Sequence, residues 1–188
     1  MYLISRMTYV DPHLLLQRCE AGEPSAIEEF VHTYQPAAYR LALSMLDDPE
    51  EADEAAQDAL LTALDHLASY RGEAAFTTWL YAITLNLCRG RLRKRHSYER
   101  LVHILQDVFR IHSETLHPEI EVLKVEADTT VWSAIGRLAD LQREVIILRY
   151  YHDLTIANIS QVTGVSERTV HNRLRTAHER LGALLRRD

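Results

Sequence analysis

The sequence predicts an all-α protein built as two small helical domains joined by an acidic linker. Three observations carry this expectation. Apolar residues recur with a helical period along nearly every segment, and almost none alternates with the period of two that a half-buried strand shows. Prolines, glycines and short polar residues fall where helices start and stop. Of 188 residues, 47% are hydrophobic and 26% charged, a globular balance that separates the chain from disordered tails.

A first short helix is expected over 11–21, carrying Leu14, Leu15 and Cys19 and ending at Gly22. A second begins near Pro24 and Ser25 and runs through Phe30, Tyr34, Ala38, Leu41 and Met45. Pro36 lies inside it and should kink or split it. The third starts at Asp48-Pro49-Glu50-Glu51, where Asp48 is a capping acceptor and Pro49 suits the first helical position. It continues through Ala52, Ala56, Ala59, Leu60 and Ala63. Residues 70–73 form a loop, and a fourth helix runs from Ala74 or Phe76 to Arg95 with Trp79, Leu80, Ile83 and Leu87 on one side.

Residues 97–128 change character. Glu99, Asp107, Glu114, Glu119, Glu121, Glu126 and Asp128 stand against Arg100, Arg110 and Lys124, with Pro118 among them. Leu101, Leu105 and Val108 form a helical stripe within this linker. Beyond it, four more helices are expected over 129–138, 141–151, 155–163 and 167–185. In the last two, Thr155 caps a short helix, Gly164 ends it with positive φ, and Ser166 caps the next. Val170, Leu174, Ala177 and Leu181 give that final helix one buried face. Arg168, Thr169, His171, Asn172, Arg173 and Arg175 occupy the other. This is a helix-turn-helix layout, whose second helix offers its first turns to the DNA major groove. Arginine chelates guanine edges or phosphates, and asparagine, threonine and histidine hydrogen-bond to base edges.

Composition excludes several other functions. Cys19 and Cys88 lack metal or redox spacing and read as buried reduced thiols. Ten scattered histidines form no ligand motif, and six glycines supply no phosphate-cradling loop, so no metal or cofactor is expected. No apolar run is long enough to span a bilayer, and the first residues lack a secretory core, so a cytoplasmic protein without membrane insertion is expected. No residue pattern points to catalysis.

Charge is segregated along the first half. Between Leu41 and Tyr70 there is no lysine or arginine, while Asp47, Asp48, Glu50, Glu51, Asp53, Glu54, Asp58 and Asp65 occur. Arg89, Arg91, Arg93, Lys94 and Arg95 then cluster near the end of the fourth helix. One surface suits a basic protein and the other nucleic acid. Tyr70, Phe76, Trp79 and Tyr81 precede the basic cluster, the combination single-strand binders use to stack unpaired bases beside a backbone-tracking charge. Trp79 also fits a core position, as aromatic residues at helical spacing do.

The blocks from Asp53 to Leu60 and from Tyr70 to Asn86, followed by the helix-turn-helix, resemble the extracytoplasmic-function (ECF) sigma factors of bacterial RNA polymerase. The resemblance spans about residues 11–188. It implies a sigma-2 domain over 11–96, a linker over 97–128 and a sigma-4 domain over 129–188. Asp53, Glu54, Gln57 and Asp58 match the family's surface for the polymerase β′ clamp helices; the β flap is the other implied contact on core polymerase. Tyr70, Arg71, Phe76, Trp79 and Asn86, with Arg89, Arg91, Arg93 and Lys94, fall in the family's reader of unpaired −10 promoter bases. Residues 167–176, including Arg168, Thr169, His171, Asn172, Arg173 and Arg175, match its −35 reader. His171, Thr176 and His178 stand where relatives often carry basic residues. The implied partners are core RNA polymerase, promoter DNA and an anti-sigma factor. Two other classes compete: a stand-alone helix-turn-helix regulator leaves residues 41–95 without a role, and a histidine-metal hydrolase lacks its ligand spacing.

Overall fold

A computed structural model describes residues 12–109 and 126–186 of the chain. They form eight α-helices: α1 (Pro12–Glu20), α2 (Pro24–Leu46), α3 (Pro49–Asp65), α4 (Phe76–Phe109), α5 (Glu126–Gly136), α6 (Asp140–Ile146), α7 (Ile156–Thr163) and α8 (Glu167–Leu184). A 3-10 turn over Leu67–Ser69 follows α3, and a π turn over Ile147–Tyr151 follows α6. The chain divides into two compact units between Leu87 and Cys88, within α4.

In the first unit, α2 and α3 form a hairpin joined by Asp47 and Asp48. Asp47 ends α2 in the left-handed region at φ 56°, and the Asp48 carboxylate accepts from the Glu50 and Glu51 amides, both at 2.9 Å. Pro49 follows the cap, where no intrahelical N–H is needed. Ala52, Ala55, Ala56, Ala59 and Ala63 are all fully buried, and their small side chains bring the α3 backbone close to its neighbours. Phe30, Tyr34, Ala38 and Leu60 share a core with Leu15, Leu16 and Cys19 of α1 and Phe76 and Leu80 of α4. The Cys19 thiol donates to the Ala26 carbonyl at 3.3 Å, and burial raises its pKa.

Three expectations change here. Leu14 is 56% exposed and lies off the buried stripe of α1. Pro36 does not split α2, which runs on as one element; it sits on the exposed side, where the carbonyl left without its helical N–H is open to solvent. Helix α4 does not stop at Arg95 but continues to Phe109, taking in residues 97–109 of the expected linker. Between Gly90 and Pro118 the chain carries no glycine or proline to end it. The remaining linker, 110–125, with its Glu114, Glu119 and Glu121, lies outside the described residues.

Arg18 fastens the end of α1 to the start of α2. Its Nε and Nη2 donate to both Glu23 oxygens at 2.8 and 2.7 Å, and Nη1 reaches Glu29 at 3.1 Å. These guanidinium bonds, with the Ser25 hydroxyl, lower the Glu23 pKa to about 2. A carboxylate depressed on folding stabilises above its unfolded pKa and loses that contribution as the pH falls through its folded one. Glu23→Gln should therefore lower the denaturant midpoint at neutral pH. The gap from wild type should narrow from about pH 4.5 downward and close near pH 2. A gap independent of pH would remove the ion pair as its cause.

In the second unit, buried side chains come from α4 (Cys88, Leu92), α5 (Ala134), α6 and the π turn (Val145, Ile146, Ile147, Leu148), α7 (Ile159, Val162) and α8 (Val170, Leu174, Ala177). The single helix expected over 141–151 is instead α6 continued by the π turn. The extra residue in that turn goes with 58% and 51% exposure of Tyr150 and Tyr151, which follow the buried Ile147 and Leu148. Arg149 donates to the Leu154 carbonyl at 2.8 Å and closes the way into α7.

Candidate functional site

The helix-turn-helix is assembled by the caps that its sequence carries. The Thr155 hydroxyl accepts from the Asn158 amide at 3.2 Å, and Ser166 accepts from the Thr169 amide at 3.3 Å. Between them, Gly164 adopts φ 72° and its N–H bonds the Ser160 carbonyl at 2.9 Å. A side chain there would be strained, which fixes glycine at the turn. The Ser160 hydroxyl reaches over to the Val165 carbonyl at 2.6 Å.

On α8, Arg168, His171, Asn172 and Arg175 are exposed on the side opposite Val170, Leu174 and Ala177. Thr169 is half-buried, with its hydroxyl 3.0 Å from that of Ser166. Arg173 is also half-buried, and its Nη1 is enclosed without a protein partner. It is thus set further inward than the four exposed residues. His178 lies beyond them, its Nε2 3.0 Å from the Tyr150 hydroxyl.

On α3, Glu54, Gln57 and Asp58 are exposed, while Asp53 is half-buried and accepts from Gln57 Nε2 at 2.8 Å. The helical period places Leu61 on the same stripe, four residues after Gln57, and it is 61% exposed. Sequence reading passed over it because it sits in the run from Ala59 to Leu64. Its phase against the buried alanines is the signal that separates it from Leu60.

Between α3 and α4 the loop is held by its own residues. The Tyr70 hydroxyl donates to the Ala74 carbonyl at 2.6 Å, closing the turn around Gly72. The Tyr70 ring meets Phe76 edge-on at 5.2 Å and lies 5.5 Å from Trp79. Phe76, expected among DNA-facing residues, is instead a core ring at 4% exposure, in contact with Phe30 and Tyr34. Its burial seats Tyr70 and Trp79, which are half-buried. Arg71 and Asn86 are exposed.

Beside this loop, a cleft of about 440 Å³ opens between α1 and residues 67–72. Leu16, Leu67 and Tyr70 give it an apolar floor, and His13, Gln17, Glu20 and Arg71 a polar rim. Sequence reading gave the α1 residues no functional part, because the cleft forms only when α1 packs on the turn after α3.

The basic cluster belongs to the second unit. Arg93 and Lys94 are exposed and Arg91 is half-buried. Arg89 differs: its Nε and Nη2 donate to the two carboxylate oxygens of Glu144 on α6 at 2.8 and 2.7 Å. Glu144 is 1% exposed, and its hydrogen bonds raise the Arg89 pKa against the opposing effect of burial. A residue expected to face promoter DNA is therefore bound to a buried carboxylate. Among the described residues, no cluster of histidine, cysteine or acid side chains could hold a metal ion. No described helix is long and apolar enough to cross a membrane.

Comparison with known proteins decides the family. The model for sigma-70 region 2 matches residues 30–98, and that for sigma-70 region 4 matches residues 129–181. The ECF RNA polymerase sigma factor SigM of Mycobacterium tuberculosis is 32% identical, over 91% of this chain and 83% of its own. The chain belongs to the ECF sigma factors of the sigma-70 family. SigW of Bacillus subtilis is 29% identical, over 91% of this sigma factor and 95% of its own length. Two solved structures share the fold at 24% identity. CnrH, in complex with the cytosolic domain of CnrY, has a TM-score of 0.64 and covers 93% of this chain and 97% of its own. RpoE of Bartonella quintana, bound to the anti-sigma factor NepR, has 0.62 and covers 86% and 97%. This sigma factor directs core RNA polymerase to promoters and so initiates transcription.

Proposed function

We propose that this sigma factor reads a promoter in two places, by binding alone and with no covalent step of its own. The observation that carries the reading is α8. A side-chain-capped helix follows a glycine turn, one face is buried, and Arg168, His171, Asn172 and Arg175 project from the other. That helix reads the −35 duplex in the major groove. The 69–75 loop, Trp79 and Asn86 of the first unit capture unpaired −10 bases, and Arg93 and Lys94, exposed on the second, are cations available to DNA phosphates. Asp53, Glu54, Gln57 and Asp58 dock on the β′ clamp helices, and the β flap holds the C-terminal module. Following the family pattern, the working domains are 11–96 and 129–188 with 97–128 between them, whereas the compact packing units part between Leu87 and Cys88.

Net charge supports a tethered reader. At −6, the chain starts at a disadvantage in neutralising phosphates by itself. Core polymerase supplies affinity, and two weak modules on one scaffold gain effective concentration without new contacts. The NepR complex of the Bartonella quintana relative supports an anti-sigma factor as a further partner.

The deciding experiment combines the chain with core polymerase and promoter DNA and looks for start-site-specific transcripts. A stand-alone regulator would shift DNA without polymerase and yield none. Within the holoenzyme, Asn172→Ala should weaken −35 duplex binding by about 1–3 kcal/mol and relax preference at one base pair. Arg175→Ala, if it holds phosphate, should weaken all sequences alike and lower the salt slope by about one. Unchanged footprints in both variants would take α8 off the DNA.

A further inference from the structure

We propose that α1 supplies one wall of the −10 base seat, and that Gln17 and Glu20 select an extruded base bearing an exocyclic amine. This rests on the reading of the 69–75 loop as the −10 reader and adds a specificity element from outside it. The cleft between α1 and residues 67–72 has the size range of a ligand pocket. Its floor is apolar: Leu16 and Leu67 are 7% and 5% exposed, and the Tyr70 ring is fixed by its bond to Ala74 and its edge contact with Phe76. An apolar floor set before binding suits a base once it has left the stack.

Charge on the rim decides which part of a nucleotide enters. Glu20 is an acceptor that repels phosphate, so the sugar–phosphate chain stays on the Arg71 side and the neutral base turns inward. At the rim, the Glu20 carboxylate accepts from an exocyclic amine of the entering base, as glutamate accepts from cytosine N4 in a groove, while the Gln17 amide both donates and accepts. Cytosine, adenine and guanine carry such an amine. Thymine does not: its one donor on that edge, the ring N3–H, lies between two carbonyl oxygens that repel the carboxylate.

The test uses holoenzyme, formed from the full chain and core polymerase, transcribing a promoter library randomised across −10. Wild type should disfavour thymine at one position. Glu20→Ala should reduce that discrimination about tenfold at that position and leave the others unchanged. Glu20→Lys, which turns the acceptor into a donor, should shift the preference toward bases presenting carbonyl oxygens, and Gln17→Ala should relax the same position. Both side chains are exposed, so far-UV circular dichroism should match wild type. If the Glu20 variants return the wild-type base distribution while Arg71→Ala alters it, the α1 wall is wrong and the loop reading stands. If Arg71→Ala also returns the wild-type distribution, the base seat itself is wrong.

Discussion

Arg89→Ala should lower the stability of the second unit by roughly 3–5 kcal/mol, the cost of leaving a buried carboxylate without its partner. Glu144 is 1% exposed and takes two guanidinium bonds from Arg89, whose own side chain is 21% exposed. Removing the guanidinium leaves a charge that water reaches poorly. Replacing both partners with apolar residues, as in Arg89→Met with Glu144→Leu, removes that charge and should restore most of the loss. Trp132 reports on this unit, packed edge-on against Tyr151 at 5.2 Å. The chain's other tryptophan is Trp79, so a Trp79→Phe background isolates the signal during denaturant unfolding. A loss under about 0.5 kcal/mol in the Arg89→Ala chain, within the range of ordinary surface exchanges, would mean that Glu144 is hydrated or finds another donor. The same variant separates Arg89 from Arg93 and Lys94, whose exposed side chains should give up DNA affinity without giving up stability.

That ion pair also marks what local pattern reading misses. Caps were legible because each depends on residues within four positions: Asp48, Thr155, Gly164 and Ser166 act where short polar residues and glycine are required. The buried faces of α3 and α8 were legible for the same reason, since a period of 3.6 is a local property. Arg89 and Glu144 are 55 residues apart, and their neighbours in sequence give no sign of the pairing. Arg89 therefore read as one more cation in a basic cluster. Phe76 shows the converse error, an aromatic beside basic residues that the packing of α4 on α2 turns inward. The length of α4 was hidden by composition: acidic, mixed residues read as linker, yet absence of a breaker outweighed them. The π turn at Ile147–Tyr151 follows from tertiary packing and has no mark in its residues.

Glu54→Lys with Asp58→Lys should weaken binding to core polymerase by about 2–5 kcal/mol, a loss of about 30-fold or more, while leaving the fold intact. Both side chains are exposed on α3, on the face opposite its buried alanines, so the exchange disturbs no packing. Asp53 is half-buried and accepts from Gln57, so the exchange is confined to the two exposed acids. The same stripe carries Leu61, 61% exposed and flanked by polar residues, the arrangement of an apolar anchor inside a charged rim. Leu61→Ala should cost about 1–2 kcal/mol of core binding through lost burial. Salt separates the two effects. Raising it from about 0.1 M to about 1 M shortens the screening length from about 10 Å to about 3 Å, which should shrink the penalty of charge reversal and spare that of Leu61. Equal salt dependence would assign Leu61 no apolar contact, and core affinity within twofold of wild type for both variants would remove α3 from the polymerase interface.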